Sequence, residues 1–293
     1  MRGAFDIRQV RRSFGRAANS YETHAVLQGE VESRLQERLD DAPLMPAVVV
    51  DAGSGSGRGA AALRKRYPKS TLLALDLALP MLRAARRHQT WLRPFNRICA
   101  DVQALPLAEG SVDLLYSNLC LQWCADLPAV LDEFRRVMTP GALLLFSTFG
   151  PDTLRELRDA FSQVDQQPHV SPFAAMNVIG DAMLAAGFRD PVLERDVFTM
   201  TYPDGLTLMR ELRAIGATNA DPSRQRTLTG KAHLRAALDA YETLRSDGVL
   251  PATYEVVYAR AVAPDGGQPR RASGGGDIAS FSIDRLRGSR RGA

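Results

Sequence analysis

The sequence has few of the features that mark secreted, membrane-spanning or metal-binding proteins. Its 293 residues include three cysteines, Cys99, Cys120 and Cys124, an odd number without metal-ligand spacing, which indicates reduced structural thiols and no metal site. No apolar run reaches the length of about 18 residues that a membrane-spanning helix needs. The opening residues 1–21 lack the apolar central segment of a secretory signal. We therefore expect a cytoplasmic protein without a membrane partner.

Positive charge is in slight excess, and its position is more informative than its amount. The formal net charge is +4. Basic side chains form three clusters, which are Arg8, Arg11, Arg12 and Arg16; Arg83, Arg86, Arg87 and His88; and Arg285, Arg287, Arg290 and Arg291. Such clusters are either solvated faces or docking surfaces for an acidic macromolecule, and charge alone does not distinguish an acidic protein from a nucleic acid.

The hydrophobic pattern changes partway along the chain from purely helical to alternating strand and helix. Val10, Phe14, Ala17 and Tyr21 recur at steps of three and four, and a second helix is predicted through Leu35. Apolar runs of strand length follow at 48–50, 72–75, 98–99, 112–116 and 143–146, with helix-length stretches at 58–67, 80–90 and 127–138. This alternation predicts an α/β fold with a Rossmann-like, mostly parallel sheet and helices on both faces.

The last third of the chain predicts two more strands and a helical insertion. Helices are expected over 151–163 and 173–186, and strands over 191–201 and 253–263. The two strands are expected to pair antiparallel at one edge of a seven-stranded sheet. Residues 204–246 lie between them and have a helical pattern, broken by polar residues at 218–226.

A glycine-rich turn directly after the first strand is the strongest local signal. It comprises Asp51, Gly53, Ser54, Gly55 and Gly57 in the spacing D-x-G-x-G-x-G. Glycines allow the backbone to pass close to a ligand and to adopt positive φ. A dinucleotide site has the spacing G-x-G-x-x-G, and a carboxylate before the first glycine would repel a pyrophosphate. The same carboxylate suits a cationic nucleoside, so the turn predicts binding of S-adenosylmethionine.

Polar residues follow the next three strands and support this cofactor. Asp76 is placed to accept the ribose hydroxyls, Asp101 to accept the adenine amino group, and Asn118 to lie beside the methionine moiety. The neighbouring Leu77, Met81 and Val102 are expected to complete the cofactor pocket. Any one of these polar residues has an alternative role as a helix cap, but their recurrence on successive strand ends favours a nucleoside site.

Three longer segments resemble the malonyl-acyl carrier protein O-methyltransferase family of biotin synthesis. They are FGRAANSY at 14–21 with Ala25, Leu27 and Gln28, LCLQWC at 119–124, and FSTFGPDTLRELR at 146–158. The resemblance covers residues 6 to 262 and implies methylation of a malonyl carboxylate on an acidic acyl carrier protein. Ser54 departs from the pattern, because many relatives have cysteine there.

This chemistry explains why no catalytic histidine or cysteine pair is evident. A malonyl carboxylate is already ionised at neutral pH, so no general base and no catalytic residue in that sense is required. The residues expected to contact and orient the substrate are Tyr21, Gln28, Gln122, Trp123, Arg155 and Arg158. Arg155 and Arg158 lie three positions apart on a predicted helix, and we expect one of them to hold the carboxylate.

The expected organisation has three parts. N-terminal helices over 1–45 cover the active site, a methyltransferase domain spans 46–263, and a basic tail over 264–293 is largely disordered, with only 278–283 suited to docking. Either the first or the second basic cluster is expected to dock the carrier protein.

Three other functions stay open at this point. One is a methyltransferase acting on another small acid or a quinone precursor. Another is a non-catalytic relative, since the motifs also resemble a mitochondrial complex I assembly factor. Nucleic-acid methylation ranks last, because no Asn-Pro-Pro-Tyr motif follows the fourth strand, where Asn118 is followed by Leu-Cys-Leu.

Overall fold

The apolar runs of the sequence become the strands of one central sheet. A computed structural model describes residues 6–40, 42–220 and 230–265, and the backbone of 270–271 and 277–278. The strands are β1 (Val48–Ala52), β2 (Thr71–Asp76), β3 (Asn96–Cys99), β4 (Val112–Ser117), β5 (Met138–Phe149), β6 (Arg189–Tyr202), β7 (Leu250–Val262), β8 (Arg270–Arg271) and β9 (Asp277–Ile278). Seven of them form a sheet in the order β3-β2-β1-β4-β5-β7-β6, and β8 pairs with β9 separately.

The helices lie before the sheet and between its strands. They are α1 (Ile7–Ala17), α2 (Tyr21–His24), α3 (Val26–Glu37), α4 (Arg58–Arg66), α5 (Leu79–Ala84), α6 (Leu127–Val137), α7 (Arg155–Ser162), α8 (Met176–Ala185), α9 (Gly205–Ala214) and α10 (Lys231–Glu242). The carboxylate of Asp6 caps α1 by accepting from the backbone N–H of Gln9 at 3.1 Å. This cap fixes the first turn of a helix that proves central to the site.

Both faces of the sheet are buried, which is why its strands appear in the sequence as continuous apolar runs. Val49 and Tyr116 belong to a core with α3, α4, α7 and α10. Val50 and Leu115 point to the opposite face and pack with α6 and α8. Burial on both sides is the condition for a parallel α/β sheet, and the predicted fold class is confirmed.

The edge predicted for the last two strands is also confirmed, although several boundaries were wrong. β7 pairs antiparallel with both β5 and β6, which leaves β6 at the edge. The predicted helix over 80–90 is α5 followed by a 3₁₀ turn over Ala85–His88. The predicted strand over 143–146 extends to the full length of β5, because β4 and β7 pair with it on either side.

Some expectations fall partly beyond the described residues. Positions 221–226 of the predicted polar break do so, as does most of the basic tail, including 279–283. Among the helices that the structure describes, none combines the length and apolar character needed to cross a membrane.

Candidate cofactor and substrate site

The glycine turn after β1 adopts the backbone that its sequence predicts. Gly53, Gly55 and Gly57 have φ values of +77°, +53° and +86°. A Cβ at Gly53 would lie 2.3 Å from Sγ of Cys120, so only glycine fits there. A Cβ at Gly55 would meet nothing within 4 Å, because this residue lines an open cleft. The turn therefore brings bare backbone to the carboxyl end of the sheet.

Two carboxylates of the cleft are held in unfavourable surroundings. Asp51 is only 2% exposed, and its Oδ2 has no hydrogen-bond partner. Burial, followed by repulsion from Glu32 and Asp76, raises the pKa of Asp51 well above its usual value. Burial also raises the pKa of Asp76 to about 6. Hydrogen bonds from the backbone N–H groups of Ala78 (2.7 Å) and Gly55 (2.9 Å) oppose that rise only in part.

Glu32 is a third carboxylate of the cleft, and the sequence analysis missed it. It is buried in α3, where Oε1 accepts from the Tyr116 hydroxyl at 2.8 Å and from Nε2 of Gln36 at 3.0 Å. Burial raises the pKa of this carboxyl. The available signal was its position beside Val31, on the apolar face of a predicted helix, where an unpaired acid is costly.

The polar residues after β3 and β4 reach the same cleft. Asp101 lines the cavity that contains Asp76, and its Oδ1 accepts from the backbone N–H of Gln103 at 2.9 Å. Asn118 donates from Nδ2 to the Gln28 carbonyl at 3.2 Å, and its Oδ1 accepts from the Ser147 hydroxyl at 2.6 Å. The sequence thus predicted correctly that these strand ends converge.

The other predicted cofactor residues divide into two groups. Ser54, Leu77 and Val102 line the cleft. Met81 is fully buried in a cluster with residues of α1, and Gly57 packs against Ala85. These last two support the site without reaching the cleft wall.

A larger chamber of about 820 Å³ adjoins the cleft. Tyr21 lines this chamber and both cavities of the cleft, so it marks their junction. Phe14 and Trp123 stand beside it, packed edge to face with ring centroids 5.3 Å apart. Burial, reinforced by Asp76, raises the pKa of Tyr21, so its hydroxyl stays protonated and can donate.

The predicted substrate residues are only partly assembled at this chamber. Gln28 and Gln122 line it, but Nε2 of Gln122 donates to the Leu119 carbonyl at 2.7 Å and its Oε1 accepts from Thr148 at 3.3 Å. Arg155 has an exposed side chain near Asp152, at 3.9 Å. Nη2 of Arg158 donates to the carbonyls of Pro151 (2.9 Å) and Thr153 (2.8 Å).

Neither arginine lines the chamber, so the structure does not support a grip by Arg155 or Arg158 on the substrate carboxylate. Among the described residues of the chamber wall there is no lysine or arginine, and the one side chain able to carry positive charge is His169. The sequence did not predict a role for His169, because a loop histidine has no pattern of its own.

The donor set of the cleft fits a cationic nucleoside. Glu22, Glu32 and Asp51 line one cavity of the cleft together with Arg58. Asp76 and Asp101 line the other cavity together with Arg11. An unpaired buried oxygen on Asp51 and an unpaired hydroxyl on Ser54 are the groups that a bound ligand would satisfy. A positively charged ligand would relieve the repulsion among the carboxylates, and an anionic one would increase it.

Comparison with known proteins agrees with this geometry. A family model described as a methyltransferase domain matches residues 50–146. The Bacillus subtilis YcgJ protein has a TM-score of 0.54 at 15% identity, over 79% of this chain and 98% of that one. Haemonchus contortus phosphoethanolamine N-methyltransferase 2 in complex with S-adenosyl-L-methionine has a TM-score of 0.54 at 17% identity, over 85% of this chain and 57% of that one. These structures show the shared fold.

Sequence relatives are much closer. A malonyl-[acyl-carrier protein] O-methyltransferase of Xylella fastidiosa is 51% identical over 98% of this chain and 97% of its own length. A protein of the same name from Gallionella capsiferriformans is 46% identical over 88% of this chain and 91% of its own length. With a methyltransferase sheet, an acidic nucleoside cleft and this degree of identity along nearly its whole length, the chain belongs to the malonyl-[acyl-carrier protein] O-methyltransferase family.

Proposed function

We propose that the protein transfers a methyl group from S-adenosylmethionine to the free carboxylate of a malonyl group on an acyl carrier protein. The methyl ester would serve as the primer for biotin synthesis in the cytoplasm. The observation that carries the proposal is the junction at Tyr21, where an acidic nucleoside cleft meets an apolar chamber with no lysine or arginine in its described wall.

The cleft residues account for binding of the cofactor. S-adenosylmethionine, when bound, supplies an electrophilic methyl group on a positively charged sulfur. Asp76 is suited to its ribose hydroxyls and Asp101 to its adenine amino group. Asp51 and Glu32 line the same cavity, and their ionised carboxylates would offset the positive charge of the ligand.

The chamber residues account for the reactivity of the carboxylate. Methyl transfer joins a carboxylate oxygen to the methyl carbon, breaks the carbon–sulfur bond and cancels one charge of each sign. A cation bound to the attacking oxygen would lower its reactivity, so the absence of lysine and arginine from the described part of the wall favours the reaction. Phe14 and Trp123 exclude water, and the Tyr21 hydroxyl can orient the other carboxylate oxygen.

Helix α1 provides the surface best placed to dock the carrier protein. Its buried face includes Val10 and Ala17, while Arg8, Arg12 and Arg16 repeat every four residues on the exposed face. The three arginines span about 12 Å and repel one another, which costs helix stability. No ion pair holds them among the described residues.

The second basic cluster is less available for docking. Glu22 accepts from His88 at 2.6 Å and from Arg87 at 3.4 Å, so its carboxylate offsets one positive charge of that cluster. An acidic carrier protein is therefore expected on the exposed face of α1, beside the junction.

Mass spectrometry tests the reaction directly. Malonyl-carrier protein incubated with the enzyme and S-adenosylmethionine should gain the mass of one methylene group, and alkaline hydrolysis should remove it. Acetyl-carrier protein is the matched control, because it lacks the free carboxylate. Parallel arms with malonyl-CoA and free malonate test the alternative of a small-acid enzyme. Methylation of free malonate in preference to the carrier-bound form would reject the proposal.

A further inference from the structure

The polar side chains of the substrate chamber include some that also line the cofactor cleft and some that line the chamber alone. Gln28 and Tyr21 lie at the junction with the cofactor cleft, where they also line a cleft cavity. His169, Ser171 and Asn219 line the chamber alone and touch none of the cleft cavities. We expect the second group to face a part of the substrate away from the methyl transfer.

His169 is fixed in position by contacts with the end of α7 and the loop that follows. Nε2 of His169 donates to the Asp165 carboxylate, at 2.9 Å from Oδ1 and 3.1 Å from Oδ2. The ring stacks on Phe161, with centroids 3.9 Å apart and planes 17° from parallel. The adjacent carbonyl of Pro168 accepts from Nδ2 of Asn219. The imidazole is thus oriented before any ligand arrives.

The protonation of Asp165 determines what the ring can offer. The backbone N–H of Gln167, together with His169, holds the pKa of Asp165 below its usual value. The carboxylate is therefore ionised and only accepts hydrogen bonds, so the ring nitrogen facing it carries a proton. The other nitrogen, Nδ1, has no hydrogen-bond partner among the described residues. It accepts when the ring is neutral and donates when the ring is charged.

We propose that His169 binds an amide of the pantetheine arm that carries the malonyl group. An amide presents an N–H and a carbonyl side by side, so it matches Nδ1 in either protonation state, whereas the malonyl thioester itself has only acceptors. The neighbouring Ser171 is buried, and its hydroxyl, which donates to Oδ1 of Asn219 at 3.5 Å, can accept from the N–H of the same amide. The inference rests on the proposed function and specifies how the arm, as distinct from the reacting carboxylate, is recognised.

A substrate series with and without amides tests the role of His169. We would compare malonyl-pantetheine with the S-ethyl thioester of malonate, which keeps the reacting carboxylate and lacks every amide. His169→Gln should lower kcat/KM for malonyl-pantetheine about tenfold. The same substitution should change kcat/KM for the S-ethyl thioester by less than about twofold. Asp165→Asn, which weakens the hydrogen bond that orients the His169 ring, should also lower kcat/KM for malonyl-pantetheine more than for the S-ethyl thioester, but by a smaller factor than His169→Gln. Asp159→Asn is the matched control, because it makes the same change at an exposed position of α7.

Three results would overturn the inference. They are equal losses on both thioesters, no loss on either, and a parallel loss of S-adenosylmethionine affinity in calorimetry, which would indicate a structural role. Absence of any methyl ester with the unaltered enzyme would count against the proposed function instead. In that case, titration with pantetheine alone still tests the site: weaker binding to His169→Gln than to the unaltered protein supports it, and equal binding rejects it.

Discussion

The carboxylates of Glu32 and Asp51 converge on the same side of Gly59, where a Cβ would stand. A Cβ at that glycine would lie 3.0 Å from both oxygens of Glu32 and 3.2 Å from Oδ2 of Asp51. Two buried carboxylates that lie this close together repel each other when both are ionised. Repulsion from Glu32 contributes to the raised pKa of Asp51. Ionisation of both acids in the cleft is therefore electrostatically unfavourable, and we expect a cationic ligand to offset the repulsion.

Glu32→Gln should make the protein more stable and the cofactor site weaker. The amide oxygen can still accept from Tyr116, while the negative charge is lost. Because burial raises the pKa of Glu32 in the folded state, its ionised form destabilises the fold at neutral pH. We expect a gain of about 1 kcal/mol in unfolding free energy and about tenfold weaker binding of S-adenosylmethionine.

Thermal denaturation and calorimetry measure the two effects of this substitution. Glu30→Gln is the matched control, because Glu30 lies on the same helix, is exposed and pairs only with Arg34. It should change neither quantity appreciably. A loss of stability in Glu32→Gln would contradict the argument.

Cofactor affinity should fall as the pH drops through about 6. Burial raises the pKa of Asp76 to about 6 from a usual 3.8, so the folded protein favours the protonated acid between these values. The empty protein is accordingly stabilised as the pH falls through this range, whereas a cationic ligand requires the ionised form. Below the pKa of Asp76 in the folded protein, each further drop of one pH unit should weaken binding of S-adenosylmethionine by up to about tenfold.

Calorimetric titrations between about pH 5 and pH 8 measure this dependence. Adenosine is the control ligand, because it has the ribose hydroxyls and no positive charge. An affinity for S-adenosylmethionine that stays constant across the range would show that Asp76 is ionised throughout. An equal change for adenosine would show that Asp76 acts through the ribose hydroxyls and not through the positive charge of the ligand.

Gly53→Ala should be far more damaging to the fold than Gly55→Ala. The new Cβ at Gly53 collides with Cys120, and both positions have positive φ. We expect a destabilisation of about 3 kcal/mol at Gly53 and about 1 kcal/mol at Gly55. The methyl group at Gly55 should instead reduce cofactor affinity, because it projects into the cleft.

Gly141→Ala is the matched control for both variants. This glycine has a φ of +77° and open space at its Cβ position, and it lies at the start of β5, remote from the cleft. Chemical denaturation of Gly141→Ala should show only the loss of unfolding free energy that comes from backbone strain. Calorimetry should show unchanged cofactor affinity. Equal stability losses in all three variants would contradict the predicted collision.

Replacing Arg8, Arg12 and Arg16 together by alanine should weaken recognition of the carrier protein alone. We expect kcat/KM for malonyl-carrier protein to fall about tenfold at low salt, with malonyl-CoA nearly unaffected. The salt dependence of the reaction should become shallower. The comparison variant replaces Arg83 and Arg86, which belong to the second cluster. A larger loss in the comparison variant would move the docking surface to that cluster.

Much of the sheet was predictable because its signals are local. Asp51 and the glycines follow directly after an apolar run, and the alternation of strands and helices requires no knowledge of tertiary contacts. The position of Arg155 was not predictable in this way. The turn before α7 is held by long-range bonds, such as the one from the Leu154 N–H to the Thr253 carbonyl at 2.6 Å. These bonds determine where the helix begins and where its side chains point.

Glu32 and His169 were missed for a related reason. Within its own segment Glu32 shows only as an acid on an apolar helix face, and His169 shows no pattern. Each also lies beside residues far away in sequence, Asp51 for Glu32 and Asn219 for His169. A pattern within a short window does not contain such proximity.

Helix α1 lines the chamber with one side and presents its proposed docking surface on the opposite side. The Phe14 side closes the reaction chamber, and the arginine side faces outward toward the proposed partner. Substitutions on the outer side can therefore retune which carrier the enzyme serves while the chemistry inside stays intact. With the proposed docking surface on α1, a change of carrier protein would require substitutions on the outer side alone.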